Sequence, residues 1–576
     1  MNILLHRYRY LVLVTLIALL LRIGNPTFGS PVLYVLGDEV SNYMSAWNML
    51  ANKTLLNQVS PYPPLGSYIQ IPFYILAFSV MKLSGNVNSI KDFALFMVTH
   101  EGILLFIPRL IAGLFGAATI PAIYILARLL FPHKKLAASW SSLFMTFAFI
   151  HIQVSHFARP WTSAVFFATL AAYFSFKSIM IKKYEMRSVI LAAFFTVVTA
   201  GFLQSWFYAL FLFLLVRLYG AYLSKWQKKS LILSATGTGI IIFGVAVFMH
   251  LTVYQLTLER AKTKYDWGVR GSLPLLTYLS HPSSISFPDA MIRSLTIDAL
   301  YVYNFRQIAT QEPLLLFFSL IALFQWKSWL GNMRLLSVYT LGLFFGTSIL
   351  LDYHIRHLLP MWIGLVLLGG IGATLIQEKI VSVRNKQFYA LIILFGISII
   401  PIWWNLIYIR KPTFTLAREW LDQTITPESP LACLTNRYCG YTPTVNAISL
   451  MQQNDPGFYR NAFMLMKNTG QRENVRNMIF IERFPGQFYT DKYLAAYASF
   501  PFEYVFDAYY DPAMSLYRTM GPDKFILIKR FSPLLGSREP IPLENMINTM
   551  VHENVSDLLS KIERPGPYVD ILQVRS

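Results

Sequence analysis

The feature that most constrains this chain is a succession of twelve apolar runs joined mostly by short, basic connections. The runs lie near 8–24, 66–82, 108–130, 136–154, 161–180, 188–204, 206–223, 231–256, 313–330, 335–351, 358–377 and 387–408. A membrane-crossing helix needs roughly 20 mostly apolar residues, and a single soluble core has no use for so many such runs. Of the 576 residues, 55% are hydrophobic and 14% charged, whereas soluble domains carry roughly 25% charged residues. In a soluble protein the net charge of +20 would point to nucleic acid or another anionic partner. Here much of that charge sits in the connections, so membrane topology explains it first.

Charge placement also counts the crossings. Basic residues favour the cytoplasmic face, so Arg7 and Arg9 place the N-terminus inside and the segment after the first run outside. If 66–82 crossed, then His133-Lys134-Lys135, Lys182-Lys183-Arg187, Lys225-Lys228-Lys229 and Lys379-Arg384-Lys386 would all lie outside. If it does not cross, all four clusters move to the cytoplasm. The expectation is therefore about eleven spans, with 66–82 as a juxtamembrane helix on the outer face that starts from the rigid turn Tyr62-Pro63-Pro64-Leu65. Met1 to Gly24 reads as a retained first span, because no small-residue cleavage site precedes Asn25-Pro26.

The predicted fold class is a polytopic α-helical membrane protein with a C-terminal soluble α/β domain. Residues 1–409 form the membrane module, with an outer loop 25–107 that contains the 66–82 helix and a second outer loop 257–312. Residues 410–576 form the soluble domain, outside the cytoplasm. From Pro412 the chain becomes polar, with a helix start at Ala417–Leu421 and strand-like runs at Met478–Phe484, Lys524–Phe531 and Tyr568–Val574. Its length suffices for one compact domain. Cys433 and Cys439 are either bonded in an oxidising compartment or two free thiols. With no histidine nearby they form no metal site.

The sharpest candidate for chemistry is Gly37-Asp38-Glu39, in the first outer loop. Adjacent carboxylates also occur in solvated loops and at helix N-caps. Here Tyr43, Ala46 and Trp47 follow at helical spacing, and then Tyr62-Pro63-Pro64-Leu65. With Leu21-Arg22 before it, this string resembles the GT-C glycosyltransferase superfamily, and within it the branch of protein O-mannosyltransferases and the lipid A aminoarabinose transferase. The resemblance continues at Arg109-Leu110, Ala112-Gly113-Leu114, Tyr124–Leu129, Arg356-His357-Leu358-Leu359-Pro360 and Ala417-Arg418-Glu419-Trp420-Leu421. It implies transfer of a sugar from a polyprenyl-phosphate carrier to a glycan, lipid or protein hydroxyl outside the cytoplasm, in the cell membrane.

Such a donor already carries a good leaving group. The reaction needs a base for the acceptor hydroxyl and cations for the departing phosphate. By its match to the family, Asp38 is the candidate base, and Glu39, read as neighbouring extended chain, orients the loop or the acceptor. One base acting on one face of the sugar implies inversion, by analogy with one-step glycoside hydrolysis. Arg356 corresponds to the family's arginine in a similar run, with His357 in place of a tyrosine, and an arginine fork suits phosphate. Arg109 and Arg159 are further phosphate candidates, with a structural role as the alternative for each. Arg22 reads as a snorkelling residue at the end of the first span. Tyr62, and in the second outer loop Tyr265 and Trp267, are candidate sugar contacts, although such aromatics are also ordinary interfacial belt residues.

The turn Ser155-His156-Phe157-Ala158-Arg159-Pro160-Trp161-Thr162 lacks the second aspartate of the named branch. No metal ligands are therefore assigned. The cofactor is unknown, left open between none and a divalent metal. Two other classes compete with the enzyme. A lipid or glycan transporter or flippase would favour ionisable groups at mid-membrane and two similar halves. A catalytically inactive scaffold is the other. Neither Trp-Trp-Asp nor any nucleic-acid motif occurs; Trp403-Trp404-Asn405 falls inside an apolar run.

Overall fold

A computed structural model describes residues 2–28, 39–56, 62–99, 101–181, 185–202, 207–225, 227–251, 300–325, 331–350, 355–380, 382–434, 439, 441–444, 446–447, 449, 475–481, 500–509, 511–536 and 561–575. Up to Thr424 the described residues are almost all helical. The helices are α1 (Asn2–Ile23), α2 (Glu39–Asn52), α3 (Leu65–Leu83), α4 (Ile90–Thr99), α5 (Glu101–Leu130), α6 (Lys135–Phe147), α7 (Phe149–Ser155) and α8 (Trp161–Met180). They continue with α9 (Glu185–Phe202), α10 (Phe207–Leu223), α11 (Lys228–Leu251), α12 (Leu300–Gln311), α13 (Pro313–Phe324) and α14 (Gly331–Leu350). A 3-10 turn over Ile355–Met361 then leads into α15 (Trp362–Lys379), α16 (Val383–Tyr408) and α17 (Thr413–Thr424).

Six helical stretches among the described residues are long and apolar enough to cross a membrane, and up to eight if each of two bent pairs counts as one span. The bent pairs are α6 with α7, at 52°, and Asn304–Gln311 with α13, at 112°. The second pair takes in the end of the expected outer loop 257–312: residues 300–311 form α12, a polar helix with Asn304, Gln307 and Gln311 buried. The remainder of that loop up to residue 299 lies outside the described residues.

The chain divides into two compact units. The first comprises Met1–Gly24, Ser41–Ile71 and Pro108–Ile402. Within it α8, α9, α10 and α11 pack together, and α15 packs between α6 and α13. Glycine permits that second packing. A methyl group at Gly370 would stand 2.6 Å from Ala137 O and 2.8 Å from Ser141 N, so α15 and α6 are in backbone contact. Close approach through small residues is how helices associate where lipid removes the hydrophobic drive. Ser319 Oγ, from α13, donates to Leu365 O of α15 at 2.9 Å.

The second unit comprises Asn25–Val40, Pro72–Ile107 and Trp403–Ser576. It holds a mixed five-stranded sheet built from β1 (Leu431–Leu434), β4 (Met478–Ile481), β5 (Tyr504–Tyr509), β6 (Phe525–Phe531) and β7 (Tyr568–Val574), in the order β4-β1-β5-β7-β6. A small parallel pair, β2 (Thr442–Pro443) and β3 (Val475–Arg476), stands apart from it. β1 runs parallel to β4 and β5, and β7 runs antiparallel to β5 and β6. Three of the strands fall on the expected runs. β1 and β5 were not anticipated; both are nearly fully buried, and such strands lack the alternation that marks a half-buried strand.

Helix α17 covers β6 and β7. Its first residue, Thr413, donates from Oγ1 to Pro567 O at 2.5 Å. The neighbouring Gly566 has φ +112° and no room for a side chain against Thr413. Cys433, in β1, is bonded to Cys439, which settles the choice that the sequence left open. In β7, between β5 and the edge strand β6, the buried carboxylate of Asp570 accepts from Arg530 Nε and Nη2, both at 2.6 Å, and from Tyr509 Oη at 2.9 Å. These carboxylate bonds push the Arg530 guanidinium pKa up.

Candidate functional site

The candidates Arg109, Arg159, Arg356 and His357 lie in the first unit. Their frame begins with a break that local sequence does not encode. Helices α6 and α7 are interrupted at Ala148, whose ψ of 109° leaves the helical region, yet the run Phe147-Ala148-Phe149 contains neither proline nor glycine. A helix end leaves four carbonyls or four amides without intrahelical partners. Alanine cannot cap them, and no side chain at the break does so. Distant side chains serve instead.

Arg22 takes the α6 side. Its Nη1 donates to Thr146 O at 3.0 Å and its Nη2 to Met145 O at 2.8 Å. Nη1 also donates to Ala18 O within α1, and Nε reaches His151 Nδ1 at 3.2 Å. Arg22 is 1% exposed. This corrects the snorkelling assignment: the side chain turns inward because Gly116 of α5 leaves space for it, while Gly113 lets the α1 backbone come close. A methyl at Gly116 would meet Arg22 Cδ at 2.9 Å, and one at Gly113 would meet Arg22 O at 2.9 Å. A guanidinium has no acceptor, so His151 Nδ1 accepts and the proton sits on Nε2.

Glu312 takes the α7 side. Phe149 N donates to its Oε1 at 2.5 Å. Glu312 itself stands at the second break, between α12 and α13, where Pro313 opens α13. The sequence reading did not weigh Glu312, although Glu-Pro at the head of an apolar run is a helix-start signal.

Beyond α7 the chain turns through His156–Pro160 and enters α8. His156 Nε2 donates to Leu21 O at 2.9 Å, and Thr162 Oγ1 donates to Ala112 O at 2.8 Å. Arg159 lies in this turn and is 6% exposed. The 3-10 turn that carries Arg356 and His357 packs against both α7 and α8, the helices flanking Arg159. Its end is fixed by Leu358, Leu359 and Pro360, all buried, and by Tyr339 Oη, which donates to Pro360 O at 3.3 Å. Of Arg356 and His357 the backbone is described.

The other candidates are placed singly. Arg109 lies within α5, 1% exposed. Glu39 is buried and is the first residue of α2. That corrects the extended-chain expectation for it, since a first-turn acid faces the positive end of a helix. Tyr62 is half-buried just before α3, and Pro64 O accepts the first amides of that helix, from Ser67 and Tyr68. Asp38, Tyr265 and Trp267 lie outside the described residues. No group of three or more His, Cys, Asp or Glu suited to a metal occurs among the described residues.

No protein-family model and no curated protein matches the sequence. Among solved structures, the chain is similar to the apo oligosaccharyltransferase of Archaeoglobus fulgidus, with a TM-score of 0.50 and 12% identity over 98% of this chain and 88% of that one. ArnT from Cupriavidus metallidurans in the apo state aligns at a TM-score of 0.48 and 11% identity, over 91% of this chain and 96% of that one. AglB from Archaeoglobus fulgidus, in complex with an inhibitory peptide and a dolichol-phosphate, aligns at 0.48 and 12%, over 99% and 89%. The chain thus shares the fold of the Archaeoglobus fulgidus oligosaccharyltransferase.

Proposed function

We propose that the protein is a membrane glycosyltransferase that moves a sugar from a polyprenyl-phosphate-linked donor to a hydroxyl acceptor on the extracytoplasmic side. The observation that supports this best is the packing of the Arg356 turn on the two helices that flank Arg159, in a chain that shares the fold of that oligosaccharyltransferase. Two arginine-bearing segments at one place suit a departing phosphate. Arg356 with His357 forms the core of this phosphate site, and Arg159 and Arg109 complete it. In this reading the chain crosses the membrane about eleven times, residues 1–409 hold the site, and the domain 410–576 lies outside the cytoplasm.

Asp38 removes the acceptor O–H proton as the acceptor oxygen attacks the anomeric carbon. The bond from that carbon to the phosphate oxygen breaks on the opposite face, and its electron pair leaves on the phosphate. One displacement gives inversion. Glu39, at the head of α2, holds the acidic loop in place, and Tyr62, Tyr265 and Trp267 contact the sugar. A general base contributes about 10²–10⁴-fold. The full chain, reconstituted in vesicles, is supplied with polyprenyl-phosphate mannose, glucose or aminoarabinose together with a hydroxyl acceptor (a serine/threonine peptide, a glycan or a lipid), and released polyprenyl phosphate is measured. Release from at least one donor is expected, with Asp38→Asn slower by about 100-fold or more. Equal release by Asp38→Asn and wild type would remove Asp38 as the base.

A further inference from the structure

We propose that Arg22 and Glu312 are positioning residues that together impose the α6/α7 break and so preset the backbone of 149–160, the segment that carries Arg159. The inference rests, for its functional part, on the assignment of Arg159 to the donor phosphate.

The break has no local cause. Nothing in Phe147-Ala148-Phe149 prevents a continuous helix, and Ala148 offers no capping atom. In an apolar setting each unpaired backbone group costs several kcal/mol, so an uncapped break would close into a straight helix. Two side chains remove that cost on opposite sides. Arg22 supplies donors to Met145 O and Thr146 O at the end of α6. Glu312 supplies an acceptor to Phe149 N at the start of α7. The signs match the helix dipoles, with the cation at the carbonyl end and the acid at the amide end. Arg22 also holds His151 in the first turn of α7, so it grips both halves of the break. Glu312 is free for this task because Pro313 needs no amide partner at the head of α13. The second bent pair thus contributes the acceptor that the first one requires.

A straight helix through 135–155 would re-aim every residue after Ala148, including the turn at His156–Pro160. The pair therefore acts on the phosphate through Arg159, without touching it. The conservative replacement is informative: Glu312→Gln keeps an oxygen acceptor for Phe149 N, and Glu312→Leu keeps only the bulk.

The test uses the full chain in lipid nanodiscs, with two readouts. The first is amide hydrogen exchange over 149–160. The second is affinity for undecaprenyl phosphate. Glu312→Leu is expected to exchange about tenfold faster at 149–155 and to bind about tenfold more weakly, with Glu312→Gln within about twofold of wild type on both. Unchanged exchange in Glu312→Leu overturns the capping role, and faster exchange with unchanged binding overturns the positioning role. If wild type itself does not bind undecaprenyl phosphate, the donor reading fails, and the exchange arm still decides the cap. Should Glu312→Leu fail to assemble, Arg22→Lys replaces it. A lysine keeps the charge but cannot reach Met145 O, Thr146 O and His151 together, so faster exchange at 149–155 supports the proposal and unchanged exchange overturns it.

Discussion

Replacing Gly370 by alanine tests the packing on which the candidate site is built. The new Cβ would lie 2.6 Å from Ala137 O and 2.8 Å from Ser141 N. Ordinary contacts begin at 3.4 Å; the nearest atom, the Ser141 hydroxyl, can rotate aside, but Ala137 O and Ser141 N are backbone, so α15 and α6 must part by about 0.8 Å. Overpacking of this kind costs about 1–3 kcal/mol. Alanine's better helix propensity, about 0.5–1 kcal/mol, offsets only part of it. The same substitution at Gly239 of α11 provides the contrast, because nothing lies within 4 Å of its Cβ position. There only the propensity gain remains. Thermal melting of the detergent-purified full chain, followed by tryptophan fluorescence, should place Gly370→Ala several degrees below wild type and Gly239→Ala level with it or slightly above. The separation should also weaken the bond from Trp140 Nε1 to Gln377 Oε1, now 2.8 Å and bridging the same two helices. A Gly370→Ala variant that melts at or above the wild-type temperature would refute the backbone contact.

Two further outcomes follow from particular contacts. Arg530→Leu leaves the buried Asp570 carboxylate with hydroxyl partners only and should destabilise the sheet by about 3–5 kcal/mol, whereas Arg530→Leu with Asp570→Leu should recover most of that loss, because an apolar pair can replace a buried ion pair; denaturant melts of the full chain that rank the double variant below the single one would refute this. Reporter fusions after His133 and after Leu450 should report cytoplasmic and extracytoplasmic sides, and an outside signal at His133 would end the eleven-span topology.

Much of the helical layout was readable because lipid enforces it: long apolar runs have no alternative to helix. What escaped was set by tertiary partners. The break at Ala148 carries no local signal and depends on side chains from α1 and from the α12/α13 corner. Arg22 looked like a headgroup anchor, and only Gly116 of α5, more than 80 positions away in sequence, reveals the space that receives its side chain. Helix α12 carries no apolar run to announce it, because the face with Asn304, Gln307 and Gln311 is polar and yet buried against protein; Asn304 donates to Ser348 of α14. The acidic pair stood out in the sequence by its order relative to later motifs. The packing of the Arg356 turn on α7 and α8 depends on long-range contacts, which spacing along the chain does not reveal.

The most direct measurement is a cryo-electron microscopy structure of the full chain in nanodiscs with undecaprenyl phosphate bound. The phosphate is expected about 2.7–2.9 Å from the Arg356 guanidinium, on the side of the Arg159 turn, with Asp38 facing the same space. A headgroup seated instead near Lys379, at the far end of α15 and roughly 27 Å away by helical rise, would contradict an extracytoplasmic transfer site.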